Sequence, residues 1–245
     1  PRGALYINFL TAEVNRTATA AAASQLYVDL LRDAVNEFTY PAYLAGLNFS
    51  VSANGRGVGL NVSGYNDKQL VLLSRIVDII VSVDLDNDRF DNIRRDLIRQ
   101  LENVKTAPAY SQVAGITRRV LQTGRYDEAA LIAELQTLTP DAVAAHAGRL
   151  WNSSSVEILL NGNYPASEAN AVKRALAPLM RNELDAAPPV LQLAKLERGD
   201  DYVYRADVEH DDSVLFWYVQ AEDDSMESRA LAGLTQRLHH GLSGL

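Results

Sequence analysis

The chain opens on Ala4-Leu5-Tyr6-Ile7-Asn8-Phe9-Leu10, a short apolar and aromatic run held between Gly3 and Thr11, which predicts a buried strand. From about Thr17 to Phe38 the rhythm changes. Leu26, Leu30, Ala34 and Phe38, flanked by Tyr27, Leu31 and Val35, recur every three to four residues and predict a helix with one buried face. Pro41 is expected to close that helix, because the residue before a proline is pushed out of helical conformation. Two alternating runs follow at 47–53 and 58–65, with Val58, Leu60 and Val62 turned inward and Asn54-Gly55 between them as a hairpin signal.

Helical spacing returns at Leu73, Ile76, Val77 and Ile80 and fades near Val83. The acidic residues 84–88 suit the start of a further helix reaching about Val104, since carboxylates cap free amides and are favoured by the helix dipole. Helices are expected at 110–121, at 127–135 and, after Thr139-Pro140, through Ala145 to about Leu150. A strand at 155–160, a turn at Asn161-Gly162-Asn163 and a helix from Pro165 to about Met180 complete a first unit. Pro188-Pro189 marks residues 182–194 as a linker. Beyond it, 202–208 and 214–220 alternate as strands around Glu209-His210-Asp211-Asp212, and 225–240 is helical, with Met226, Ala230, Leu234 and Leu238 on one side.

Strands and helices do not alternate regularly, so the expected class is α+β: a mostly antiparallel sheet covered by helices, followed by a partial second domain too small to bury a core alone. Composition sharpens this in three ways. The 245 residues are 47% hydrophobic and 22% charged, enough for such a core, and no uncharged apolar run approaches the roughly 18 residues of a membrane span. Net charge is −8, and residues 191–245 carry 5 basic against 11 acidic side chains, which argues against a nucleic-acid partner. Cysteine is absent, which removes disulfides, thiolate catalysis and cysteine-ligated metals, and the four histidines are His146, His210, His239 and His240.

Motifs that could carry chemistry are weak. Asp84-x-Asp86-x-Asp88 begins like a calcium loop, but Arg89 and Arg95 stand where a sharp-turn Gly and a bidentate Glu are required, so helix capping is the expected role. Gly55-x-Gly57-x-Gly59 lacks the third glycine of a nucleotide loop, at Leu60, and reads as strand glycines permitting close backbone approach. His239 and His240 diverge by about 100° on a helix and cannot grip one metal together. His146 and His210 are read as solvated or capping groups. Arg94-Arg95 and Arg118-Arg119 are read as surface ion pairs, and the sequons at Asn15, Asn48, Asn61 and Asn152 are not credited.

One larger pattern remains: Leu26-Tyr27-Val28-Asp29-Leu30-Leu31-Arg32-Asp33-Ala34-Val35-Asn36-Glu37, then Tyr40-Pro41-Ala42-x-Leu44-Ala45-Gly46-Leu47, then Val62-Ser63-Gly64-Tyr65-Asn66-Asp67-Lys68. Arg89-Phe90, Asn103, Pro108-Ala109-Tyr110, Leu138-Thr139 and Leu160-x-Gly162-Asn163 continue it in order. This resembles the insulinase/pitrilysin (M16) family of zinc metallopeptidases, in the third of their four homologous domains. The resemblance implies that residues 1–181 are that middle, non-catalytic domain, that 182–194 link it, and that 195–245 are the N-terminal part of a truncated fourth domain.

In that family an H-x-x-E-H helix in the first domain holds the zinc and its catalytic Glu. The helix expected here at 17–38 contains no histidine. The resemblance therefore implies no catalytic, cofactor-binding or metal residue in this chain, with zinc confined to the catalytic domain of the parent. It implies a chamber-forming part of a metalloendopeptidase that degrades peptides and small unfolded proteins, inert alone, whose partners are the N-terminal catalytic half and the peptide substrate. Exposed edges of the truncated domain are expected to allow association between copies, and the compartment stays open between periplasm and cytoplasm, with the bacterial periplasm favoured by the resemblance. The alternative is a catalytically inactive homologue acting as a binding or assembly subunit.

Overall fold

The computed structural model describes residues 2–85, 87–180, 188–197, 199, 201–221, 223 and 225–242. The first strand, β1 (Arg2–Leu10), and the long helix α1 (Ala18–Leu44) are joined through a short 3-10 turn. The hairpin β2 (Leu47–Asn54) and β3 (Gly57–Tyr65) follows, then α2 (Gln69–Ser82), α3 (Asn87–Glu102), α4 (Ala109–Leu121), α5 (Glu128–Thr137) and α6 (Pro140–Asn152). Strand β4 (Ser155–Gly162) and α7 (Ala166–Leu176) come next, and α8 (Met226–Leu242) lies near the end of the chain. The sheet is antiparallel throughout, in the order β2-β3-β1-β4. The fold is thus α+β, a sheet backed on one face by helices.

Alternation along the strands decides which face carries the helices. Leu5, Ile7 and Phe9 stand opposite Val62, Leu60 and Val58, and all six are buried. They meet Leu26, Tyr27, Leu30 and Leu31 of α1, while Phe9 packs edge-on against Trp151 of α6 with ring centroids 4.8 Å apart. Trp151 donates its indole N–H to the Tyr27 hydroxyl at 2.9 Å, so the largest polar atoms of this core are paired. Burial pushes the Tyr27 hydroxyl up to about 12, with the Trp151 bond opposing, and it stays neutral. Among the described residues four α-helices start on side-chain caps: Thr17 accepts from the Ala20 amide, Asp127 from Ala130, Thr139 from Ala142 and Ser225 from Ser228.

Several boundaries differ from the sequence expectation. Pro41 does not close α1, which runs on to Leu44 with the proline in its last turn. The bond that Pro41 cannot make would have served the Glu37 carbonyl, which lies at an exposed end of the helix and is open to solvent. The two-residue loop of the hairpin is Gly55-Arg56, one position later than expected, because Asn54 pairs with Gly57 and turns its side-chain oxygen to the Arg56 amide at 2.8 Å. Gly57 then takes φ +152°, where a Cβ would strike the Phe9 carbonyl. The helix expected from Pro165 to Met180 ends at Leu176 and continues as a 3-10 turn, Ala177–Leu179, around Pro178.

The largest departure lies at 202–208 and 214–220, where the described residues form no paired strand. Tyr204, Leu215 and Trp217 stand exposed there. A two-stranded ribbon without a third strand or a packed helix is marginal, and the described residues supply it with neither. The linker is only partly inside the described residues, since 181–187 fall outside them. Its later part is bound down: Thr123 donates its amide to Gln192, Ala194 to Leu121, and Arg56 its Nε to the Pro189 carbonyl.

Candidate functional site

The histidine expected to be solvated is buried. His146 lies on α6 with Val143, Ala147 and Leu150 on the same inward face and is 2% exposed, and its Nε2 is 2.7 Å from the Ser24 hydroxyl of α1. The spacing of Val143, His146, Ala147 and Leu150 on one helix face is the local signal that the solvated reading overlooks. Burial first, and the neighbouring Arg149 charge second, push its pKa down to about 4, so the imidazole is neutral at pH 7. A serine and a histidine in contact suggest a nucleophile and its base. Here Ser24 is 1% exposed and no carboxylate orients the ring, so the pair serves to bolt α1 to α6.

The other residues with candidate chemistry do not converge. His210 sits in an exposed turn and accepts the Asp212 amide on Nδ1 at 3.0 Å. The side chains of His239 and His240, and the whole of Asp86, lie outside the described residues. Arg94 donates to Asp91 and to the Leu138 carbonyl, Arg95 to Asn92, and Arg119 to both Glu128 oxygens at 2.9 Å. The tie from Arg94 to Leu138 and the cross-helix pair of Arg119 make these side chains helix-packing struts as well as surface charges. Among the described residues no three His, Asp or Glu side chains are placed to hold a metal, so those residues do not fit a zinc centre. No described helix is long and apolar enough to cross a membrane.

Among the described residues, two surfaces bear on contact with another molecule. One is the helix-free face of the sheet, where Ala4, Tyr6 and Asn8 lie beside Ser63, Asn61 and Gly59, with Ser50 and Ser52 on one flank and Glu157 and Leu159 on the other. Tyr6 is 40% and Leu159 60% exposed, and the Asn61 side-chain oxygen is buried there without a partner. The other is a cleft of about 420 Å³ between α1, the β2 edge and the segment 124–126. Val28 and Leu131 are on its floor, and Asn15, Gln25, Asp29, Arg32 and Arg125 are on its rim. The Tyr126 hydroxyl donates to the Asn15 carbonyl and closes one end. Burial raises the Asp29 carboxyl while Arg32, bonded to it, holds it down.

Fold and surfaces together define a helix-backed sheet domain shaped for contact. Comparison with known proteins places it further. Residues 1–134 match the model of the "middle or third domain of peptidase_M16". The chain belongs to the M16 peptidase family. It is 25% identical over 246 residues to the A-factor-processing enzyme of Saccharomyces cerevisiae, covering 98% of this chain and 24% of that protein. It is 31% identical over 138 residues to the insulin-degrading enzyme of Homo sapiens, covering 56% and 14%. The crystal structure of pitrilysin shares the fold, with a TM-score of 0.69 and 17% identity over 73% of this chain and 19% of that one. The chain spans about a quarter of the length of the relatives that match nearly all of it.

Proposed function

We propose that this chain is the non-catalytic, chamber-forming portion of a zinc metalloendopeptidase that degrades peptides and small unfolded proteins. Residues 1–181 are its third domain, 182–194 the linker and 195–245 the beginning of the fourth. The zinc and its H-x-x-E-H helix belong to the catalytic half of the parent, which is the partner of this portion. Its contribution is shape and contact: a helix-free sheet face and a cleft that hold a peptide in reach of chemistry performed elsewhere. The observation that carries this reading is α1, a long central helix of a family fold that presents Ala22, Ala23, Leu26 and Leu30 to the core and no histidine anywhere along it.

The test is reconstitution. The chain is mixed with the catalytic half encoded by the same gene, and cleavage of a fluorogenic peptide is followed. No cleavage by the chain alone, weak cleavage by the catalytic half and strong cleavage by the mixture are expected. Cleavage by the chain alone overturns the reading, and an inactive mixture points instead to a homologue that serves as a binding subunit.

A further inference from the structure

Strand β2 is an edge of the sheet, so half of its backbone groups have no strand beside them. The phase of the ladder says which half. The Thr11 amide donates to the Arg56 carbonyl at 2.9 Å, so even-numbered positions 56–64 bond to β1 and odd-numbered positions of β3 bond to β2. Asn48, Ser50, Ser52 and Asn54 are thereby bonded inward, and Phe49, Val51 and Ala53 aim their N–H and C=O groups away from the sheet. The Arg32 guanidinium donating to the Val51 carbonyl at 3.1 Å agrees with that phase and takes up that one acceptor, which leaves the outward groups of Phe49 and Ala53 and the Val51 amide for an added strand. Ala53 is exposed and also forms part of the cleft wall.

We propose that the β2 edge and the adjoining cleft hold an extended peptide as an added strand, with one bulky uncharged side chain seated in the cleft. Outward-facing backbone donors and acceptors at strand spacing are complementary to an extended backbone. A strand laid there sends alternate side chains toward α1, and the cleft of about 420 Å³ has room for an aromatic ring over Val28 and Leu131. Asp29 and Arg32 on the rim are bonded to each other, while Arg125 donates to the neutral Gln122 side chain and keeps its charge. The apolar floor therefore favours an uncharged side chain, and the Arg125 charge repels a basic one.

A second β2 edge is the poorer occupant. Leu191 packs against the hairpin tip at Gly55, so the open stretch is short, about 49–53, and a copy would bring its own obstructed tip. The proposal rests on the peptidase reading above and names a peptide-holding site within it.

The 245-residue chain, with no catalytic half present, is titrated by fluorescence anisotropy with a labelled peptide of about twelve residues, Ser and Thr around a single central Tyr. Ala53→Pro removes only an outward amide, so the ladder survives, and binding is expected to weaken about tenfold or more. Gln25→Trp, which fills the cleft, is expected to do the same, whereas Val71→Ser on the exposed side of α2 leaves binding unchanged. Hydrogen exchange at the Phe49 and Ala53 amides is expected to slow when the peptide is bound. Equal binding by Ala53→Pro, protection confined to other strands, or no binding at about 1 mM peptide overturns the proposal. So does loss of self-association in Ala53→Pro with peptide binding intact, which assigns the edge to a second copy. Peptide binding that persists where reconstituted cleavage fails removes the peptidase reading and leaves the site.

Discussion

Residues 2–180 and 188–242 are written in a similar alphabet and end differently. Both contain alternating apolar runs and amphipathic helices, yet Phe9, Leu26 and Leu60 are buried while Leu215, Met226 and Leu234 are exposed. Periodicity says which residues could share a face. A partner layer decides whether the face is used, and only the first region supplies both sheet and helices. Among the described residues the buried core therefore lies in the first region.

The largest expected effect comes from the core of the first region. Phe9→Ala should cost about 3–5 kcal/mol in denaturant unfolding, while Leu215→Ala, 93% exposed in the second, should stay within about 0.5 kcal/mol. Equal effects would erase the distinction between the regions. Next, His146→Ala should cost about 2–3 kcal/mol, because it opens a void and leaves the buried Ser24 hydroxyl unpaired.

The same histidine gives a pH signature. Its folded pKa lies below the unfolded value of 6.5, so its contribution is full above about pH 6.5 and is lost as pH falls toward about 4. Acidification across that window should cost the wild type about 2 kcal/mol more than His146→Ala, read from urea midpoints at each pH. The smallest effect is local: Thr17→Ala removes the cap on the Ala20 amide and should cost about 1 kcal/mol, visible as fraying of α1 in hydrogen exchange.

What the sequence disclosed follows the range of each interaction. The hairpin and the caps at Thr17, Asp127 and Thr139 rest on neighbours within a few positions, and their signals survive in the string. The Ser24–His146 contact spans 122 positions, and neither helix names the other, which is why His146 reads as solvated in the sequence although it shares one helix face with Val143, Ala147 and Leu150. Pro41 misled because the rule about proline concerns a helix interior and says little about a solvated last turn. The strands at 202–208 and 214–220 misled because alternation records a capacity to pair, and the pairing surface must come from elsewhere. The open edge of β2 was hidden for a related reason: sheet order and ladder phase are properties of the assembled strands.

The claim on which the account turns is that this polypeptide has no hydrolytic centre of its own. Metal analysis after equilibration with zinc and exhaustive dialysis tests it most directly, with peptide hydrolysis measured on the same sample. The account predicts far less than one zinc per chain and no cleavage. One tightly held zinc per chain, with cleavage that a chelator abolishes and added zinc restores, would contradict it.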